Sequence, residues 1–396
     1  MGYYKENGKK SSVSGSKNYN KITDKIEKAE NIEQAEFVDD GSKSLIWEDN
    51  DFNFYTKING EEVFIGRGIN VPFPFEEGDC WSLPDGKTFA YRKGIISRVE
   101  SFNNGGNSLK LKECLEDIYC KFEESYLYSD PLGFVHNFDD IKDMETAGFI
   151  AAGFAFGKVP QILKTLDKID GIAGHKFYEF VLNFNIDSGL NLFKGFYYRF
   201  IKEKDITALF LILSEILKQY GSIEDFFLKG YNPSDINLKK AIESFCERAL
   251  HIADFSPIYG TKNLPENSMV RFFFTSPKEN SPCKRINLYL RWMVRNSDNL
   301  DLGIWQKSIQ PYQLIMPVDT HIARISRYIG LTKLKNPSFK MAEEITENLK
   351  KLDSSDPVKY DFAITRLGIL DLCKKKGGNE ADCIKCDIYA ICNFKG

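Results

Sequence analysis

From Leu109 onward, apolar residues recur at spacings of three and four, in LKECLEDIYCKFEESYL, VPQILKTLDKI, DITALFLILSEILKQYG and NLKKAIESFCERALHIADF. That period keeps one face of an α-helix turned toward a core. Upstream, from Leu45 to Phe102, the pattern is different: short alternating runs, FNFYTKI, EEVFIGR and KTFAYRKGIISRVESF, broken by Asn59-Gly60 and Pro84-Asp85-Gly86. Asn-Gly and Asp-Gly between such runs are hairpin signals. Residues 45–105 therefore read as a small β-rich module, with Asn103–Asn107 as its linker, and residues 109–372 as a helical domain. Residues 1–44 are polar, offer little to bury, and read as a disordered tail. The run Ala147–Ala155, AGFIAAGFA, is dense in small side chains and reads as a tight packing surface between helices. No internal repeat is visible.

A chain of 396 residues suits one large or two unequal domains. Its hydrophobic content of 42%, with 31 Phe and 19 Tyr, supplies ample area for burial. No stretch approaches the roughly 20 uncharged apolar residues of a membrane span, and the N-terminal residues carry no apolar signal core. The expectation is a cytoplasmic protein without a membrane partner, nucleoid-associated if bacterial. A formal charge of −3 does not by itself advertise nucleic-acid binding. Locally the balance shifts: from Lys278 to Lys335 ten Lys and Arg face four acidic residues.

Two segments offer chemistry. In TSPKENSPCKRINLYLRWMVR, Ser281 can cap a helix, Pro282 suits its first position, and Ile286, Tyr289, Leu290 and Met293 form an apolar face. Lys284 then lies in the first turn, where the positive end of the helix dipole and the adjacent Arg285 disfavour an ammonium and favour a nucleophilic amine. A plain surface lysine is the competing interpretation. In IMPVDTHIARISRYIGL, Asp319 takes the N-cap position, Ile322, Ile325 and Ile329 form a stripe, and Gly330 is a natural stop. Such an aspartate is often only a cap.

Four of the nine cysteines fall in the last two dozen residues: Cys373, Cys383, Cys386 and Cys392, spaced C-x9-C-x2-C-x5-C. In a reducing compartment that clustering favours metal ligation over disulfides, and four thiolates can enclose an iron-sulfur cubane or a zinc ion. Cys80, Cys114, Cys120, Cys246 and Cys283 read as small buried hydrophobes.

The run Val318-Asp319-Thr320-His321, followed by Ala323-Arg324 and Leu331, resembles the VDTH segment of endonuclease III and its relatives, in which the aspartate is the catalytic carboxylate. Lys284, upstream in CKRINLYLRW, is similar in position to the lysine of bifunctional members, and the longer lysine-to-aspartate interval is similar to that of archaeal 8-oxoguanine glycosylases. The spacing C-x2-C-x5-C resembles the iron-sulfur loop of endonuclease III and the adenine glycosylase, although the first gap is longer here. Across residues 109–372 the chain looks most like a largely bacterial family carried as domain of unknown function 2400. The resemblance implies a mainly α, two-lobed helix-hairpin-helix (HhH-GPD) glycosylase-like domain with a C-terminal iron-sulfur loop, preceded by the β-rich module. It departs in one place: the glycine-rich Leu-Pro-Gly-Val-Gly hairpin is replaced by SPKENSPCK.

The implied activity is excision of a damaged or modified base from DNA, with duplex DNA as the partner. Asp319 would stabilise the cationic sugar and Lys284 would form a Schiff base that allows strand nicking. Metal ligands would be Cys373, Cys383, Cys386 and Cys392, holding a 4Fe-4S cluster, with zinc as the alternative. Candidate phosphate contacts are Lys278, Arg285, Arg291, Arg324, Lys374, Lys375, Lys376 and Lys385, and Trp292, Trp305, Tyr289 or Tyr312 are candidates to stack on a base. Competing readings are a non-catalytic nucleic-acid-binding protein of the same fold and a hydrolase of modified nucleosides or RNA. The sequence does not name the lesion.

Overall fold

The computed structural model describes residues 46–48, 53–58, 61–67, 80–82, 88–92, 95–99, 106–122, 124–298, 300–373, 383 and 386–393. The polar segment 1–44, the turn residues Asn59-Gly60 and Pro84-Asp85-Gly86, most of the linker, and Lys374, Lys375, Lys376 and Lys385 lie outside the described residues.

Two antiparallel three-stranded meanders occupy the β-rich region. The first runs β1 (Ile46–Glu48), β2 (Asn53–Ile58) and β3 (Glu61–Arg67), and the second β4 (Cys80–Ser82), β5 (Thr88–Arg92) and β6 (Ile95–Val99). Ile58 pairs with Glu61, the closure of a two-residue hairpin loop that Asn-Gly favours. The alternating run after Gly86 divides into two strands, with Arg92 paired to Ile95. The strand register of β2 against β3 shifts between Phe54 and Tyr55, a β-bulge.

The rest of the described chain is mainly helical. Among the described residues nine helices of at least nine residues carry it: α1 (Gly106–Lys121), α2 (Ile141–Phe154), α3 (Val159–Ala173), α4 (Glu203–Tyr220), α5 (Lys239–Ala249), α6 (Lys284–Val294), α7 (Thr320–Tyr328), α8 (Phe339–Lys350) and α9 (Asp361–Ile369). The 3.6-residue period places α1, α3, α4 and α5 where the hydrophobic pattern predicts them. Helix α5 stops at Ala249, short of the predicted HIADF extension. Helix α3 ends at Gly174, whose φ of 67° closes it in the left-handed conformation.

Helices α2 and α6 form the centre. Asp140 caps α2 by accepting from the amides of Lys142 at 2.8 Å and Asp143 at 3.2 Å. Its small residues allow close approach: a Cβ at Gly148 would lie 2.8 Å from Met293 Cε, and one at Gly153 would lie 2.7 Å from Phe273 Cδ1. The AGFIAAGFA run is thus a packing surface. Helix α6 was expected to be amphipathic, but every residue from Ile286 to Val294 is buried. The segment after it runs back along its C-terminus, where Leu302 N donates to Trp292 O at 2.8 Å and Trp305 N to Met293 O at 2.7 Å. These amides satisfy carbonyls that the helix leaves open. One element has no counterpart in the periodicity: a tight hairpin, β7 (Tyr197–Tyr198) and β8 (Ile201–Lys202), just before α4.

Candidate active site and cysteine loop

Lys284 is the first residue of α6, but the capping differs from the expectation. Cys283, not Ser281, is the N-cap, with φ 48° and no side-chain cap bond. Ser281 Oγ instead accepts from Cys283 N at 3.2 Å, so Pro282 lies in the turn ahead of the helix. The left-handed backbone is unfavourable for a non-glycine residue and is held by tertiary bonds: Cys283 Sγ donates to Thr275 O at 3.1 Å and to Ser281 O at 3.3 Å. Burial pushes the Cys283 thiol up to about 12, which makes it an inert packing group, as the sequence suggests for most of the isolated cysteines. Asn280 is also left-handed, with φ 54°. The loop that lacks the glycine-rich hairpin therefore uses two non-glycine residues in conformations glycine adopts without strain. Lys284 Nζ donates to Ala155 O at 2.7 Å, a carbonyl at the C-terminus of α2.

Asp319 is the N-cap of α7, as predicted. Its Oδ1 accepts from the amides of His321 and Ile322, each at 2.8 Å. Ile322, Ile325 and Ile329 are buried, and Gly330, with φ 80°, ends the turn. The start of α7 is pressed against α9: a Cβ on Gly368 would collide with the His321 ring. Only glycine at that point lets the two helices close.

Lys284 and Asp319 line one cleft of about 730 Å³, together with Phe156, His321, Asp361 and Arg366. Asp361 has no local signal in the sequence beyond being an acidic residue in the first turn of α9. Only 2% of it is exposed. Burial raises its carboxyl to about 6, against the pull of Arg291 and with a further push from the charge of Asp319. Arg291 Nη1 donates to Asp361 Oδ2 at 2.5 Å and its Nε to Asp301 Oδ1 at 3.1 Å. Arg295 continues the network, with Nε on Asp356 Oδ2 at 2.9 Å, Nη2 on Asp298 Oδ2 at 2.9 Å, and Nη1 on Asp301. Arg366 closes the neighbouring wall by donating to Asp130 and to Ser129 O at 2.8 Å. The cleft thus holds two amines, Lys158 and Lys284, three carboxylates, Asp130, Asp319 and Asp361, and arginines paired with aspartates.

The predicted phosphate contacts fare unequally. Arg291, 2% exposed and ion-paired with Asp301 and Asp361, is a structural cation. Arg295 is neutralised in the same way, and Asp356 and Asp361, beyond the segment Lys278–Lys335, offset charge counted within it. Lys278 is at the surface, paired with Glu247 at 2.7 Å. Arg285 lies 3.2 Å from the Phe272 ring centroid, and Arg324 Nη1 donates to Cys373 O at 2.9 Å. Trp292, Trp305 and Tyr289 are core residues, and Tyr312 is 41% exposed. Trp305 Nε1 donates to the buried Glu145 at 3.0 Å.

Of the four clustered cysteines, Cys373 and Cys386 bring their thiols together, which lowers the Cys386 thiol to about 6 and raises that of Cys373. Cys386 N bonds back to Cys383 O at 3.0 Å, and Cys392 follows the turn Tyr389–Ile391. Arg324 Nη1 also reaches Cys373 Sγ at 3.3 Å. Among the described residues no three His, Cys, Asp or Glu side chains converge as a metal-holding group. Two of the four thiols, those of Cys373 and Cys386, are thus gathered. Among the described residues no helix is long and apolar enough to cross a membrane.

Comparisons with curated proteins and with solved structures gave no match. The family described as Protein of unknown function (DUF2400) matches residues 130–370. That span runs from Asp130, the partner of Arg366, through Lys284 and Asp319 to the end of α9, and the chain belongs to this family.

Proposed function

We propose that the protein excises a damaged or modified base from DNA, using a two-lobed helix-hairpin-helix glycosylase-like domain. The observation that carries the reading is that Lys284 and Asp319, far apart in sequence and selected from it independently, line the same cleft. Breaking an N-glycosidic bond passes through a cationic sugar, which a carboxylate in a confined site stabilises. Asp319 is fixed for that task because its Oδ1 is anchored by two amides. Lys284 supplies the amine that attacks the anomeric carbon and forms a Schiff base, from which elimination nicks the strand. Attack requires Nζ to leave Ala155 O. That engagement supports a second reading, in which the lysine stays on the carbonyl, water attacks, and only the base is released.

Cys373, Cys383, Cys386 and Cys392 would hold a 4Fe-4S cluster, with zinc as the alternative, on the support of their spacing and of the Cys373–Cys386 thiol pair. Such a cluster would supply a cross-link that fixes the terminal loop, and iron and acid-labile sulfide content measures its presence.

Borohydride trapping on duplexes carrying an abasic site, 8-oxoguanine, uracil or an oxidised pyrimidine tests the reading. A covalent adduct that disappears in Lys284→Ala identifies the Schiff-base nucleophile. Base release without an adduct selects the monofunctional reading, and there Asp319→Asn should slow release by about 10²–10³-fold while the fold persists. Neither adduct nor release on any duplex sinks the enzymatic proposal.

A further inference from the structure

Arg285 is a guanidinium out of place. It follows Lys284 directly, yet it has no carboxylate partner, and its buried Nε has no hydrogen-bond partner. Its Nη2 donates to Phe272 O, and its charge sits 3.2 Å from the Phe272 ring centroid and 5.9 Å from that of Phe156. A cation over an aromatic face recovers about 2 kcal/mol when desolvated, less than the several kcal/mol it takes to strip an ion of water. Burial without a counter-charge accordingly pulls this guanidinium down to about 9. Arg291, Arg295 and Arg366 meet the same problem with aspartates. Arg285 has no such carboxylate beside it.

A second guanidinium serves the same ring. Arg199, at the tip of the β7–β8 hairpin, also lies 5.9 Å from the Phe156 centroid. Its backbone is left-handed, with φ 57°, a conformation that in a non-glycine residue persists only when the surroundings enforce it. The enforcement is visible next to it. Tyr198 Oη donates to Phe156 O, and Phe200 stacks on Phe156 at 5.3 Å with an interplanar angle of 19°. A Cβ on Gly157 would lie 3.0 Å from Arg199 Nη1. Phe156, Gly157 and Lys158 all line the cleft with Lys284.

We propose that Arg199 and Arg285, each 5.9 Å from the ring of the cleft residue Phe156, form an anion site beside the cleft for a phosphate group. The exposed Arg199 presents a planar donor fork to the oxygens of a phosphate and Arg285, with Lys158 and Lys284, adds positive charge, while Asp130, Asp319 and Asp361 within the cleft repel an anion from its interior. The exposed face of Phe200, 37% accessible, offers a surface to the sugar or base joined to that phosphate. The phosphate can belong to a nucleic-acid backbone or to a free nucleotide. The site takes its function from the substrate class proposed above but does not depend on turnover.

Binding of a fluorescent duplex carrying a tetrahydrofuran abasic analogue, titrated at several salt concentrations, reads the first source. Thermal stabilisation of the protein by inorganic phosphate and by dAMP reads the second. Arg199→Ala is exposed and should fold; Arg285→Met keeps the side-chain volume, with circular dichroism as its control. If the phosphate is polymeric, each variant weakens duplex binding about tenfold and lowers the salt slope by about one. A single methylphosphonate placed at the contacted linkage then weakens the wild type and not the variants. If the phosphate is that of a free nucleotide, both variants lose stabilisation by dAMP and phosphate while duplex binding is unchanged. Unchanged affinity, salt slope and stabilisation in Arg199→Ala overturn the site. A protein that binds as described but forms no borohydride adduct keeps this site and loses the lyase reading, so the two failures are separable.

Discussion

Helices α6 and α7 each begin at the same cleft, but the two starts are held in opposite ways. Asp319 closes its own helix through bonds to amides two and three residues ahead, an arrangement that needs nothing from the rest of the chain. Lys284 begins a helix whose N-cap is left-handed and offers no cap bond; its position rests on Thr275 O, on Ala155 O and on the burial of α6 along its length. The carboxylate takes its position from its own helix. The amine is placed only once the tertiary structure exists, and it is the group that must move to react.

The largest effect should come from removing what anchors α6 at its far end. Arg295→Leu leaves Asp298 and Asp356 buried without a cationic partner and Asp301 with Arg291 alone, and should destabilise the domain by about 3–5 kcal/mol in equilibrium denaturation. A loss below about 1 kcal/mol would show that the network is wetter than its burial indicates. Gly368→Ala comes next. It gains helix propensity but drives a methyl into the His321 ring, for a net loss of about 1–3 kcal/mol, and it displaces the start of α7. Gly148→Ala makes the informative contrast, because its methyl meets only the flexible end of Met293.

Asp319 itself separates cap from chemistry. Asp319→Ala should cost about 1 kcal/mol of stability, and Asp319→Asn, which keeps an acceptor, close to none, although both remove the charge. Equal losses in the two variants would mean that the charge, not the cap, stabilises α7.

The pH dependence runs with opposite sign at two aspartates. Asp361 is raised to about 6, so the folded state holds a proton that the unfolded state releases. Its contribution is present below about pH 4 and is lost as pH rises through about 6. Asp353, where burial is outweighed by bonds from Ser355 and Lys359, falls to about 2. Its contribution is present above about pH 4 and lost as pH falls through about 2. Denaturation midpoints across this range should show Asp361→Asn gaining on the wild type between pH 4 and 6, and Asp353→Asn losing ground between pH 2 and 4.

What could be read ahead of the structure follows the range of the interaction. The stripe Ile322, Ile325 and Ile329, the Asp319 cap, the Gly330 stop and the Ile58–Glu61 hairpin closure depend on residues a few positions apart, and local pattern specifies them. The sequence points to Ser281 as the cap of α6, whereas the observed arrangement is set by Thr275 O, which only the folded chain brings to Cys283. In the sequence Arg291 reads as open positive charge, because its neutralising partner Asp361 is 70 residues away. The β7–β8 hairpin escaped notice because two-residue strands leave no period to detect.

By itself, the sequence determined that this is a mainly helical chain, which two helix starts carry a lysine and an aspartate, and where four cysteines cluster. Those features are written in side-chain periodicity and short-range capping, whose energies are local. Tertiary structure alone decided that Lys284 and Asp319 share a cleft, that Asp361 joins them, and which arginines keep a free charge. Burial and long-range pairing set the effective charge of a group, and neither exists until distant segments have packed.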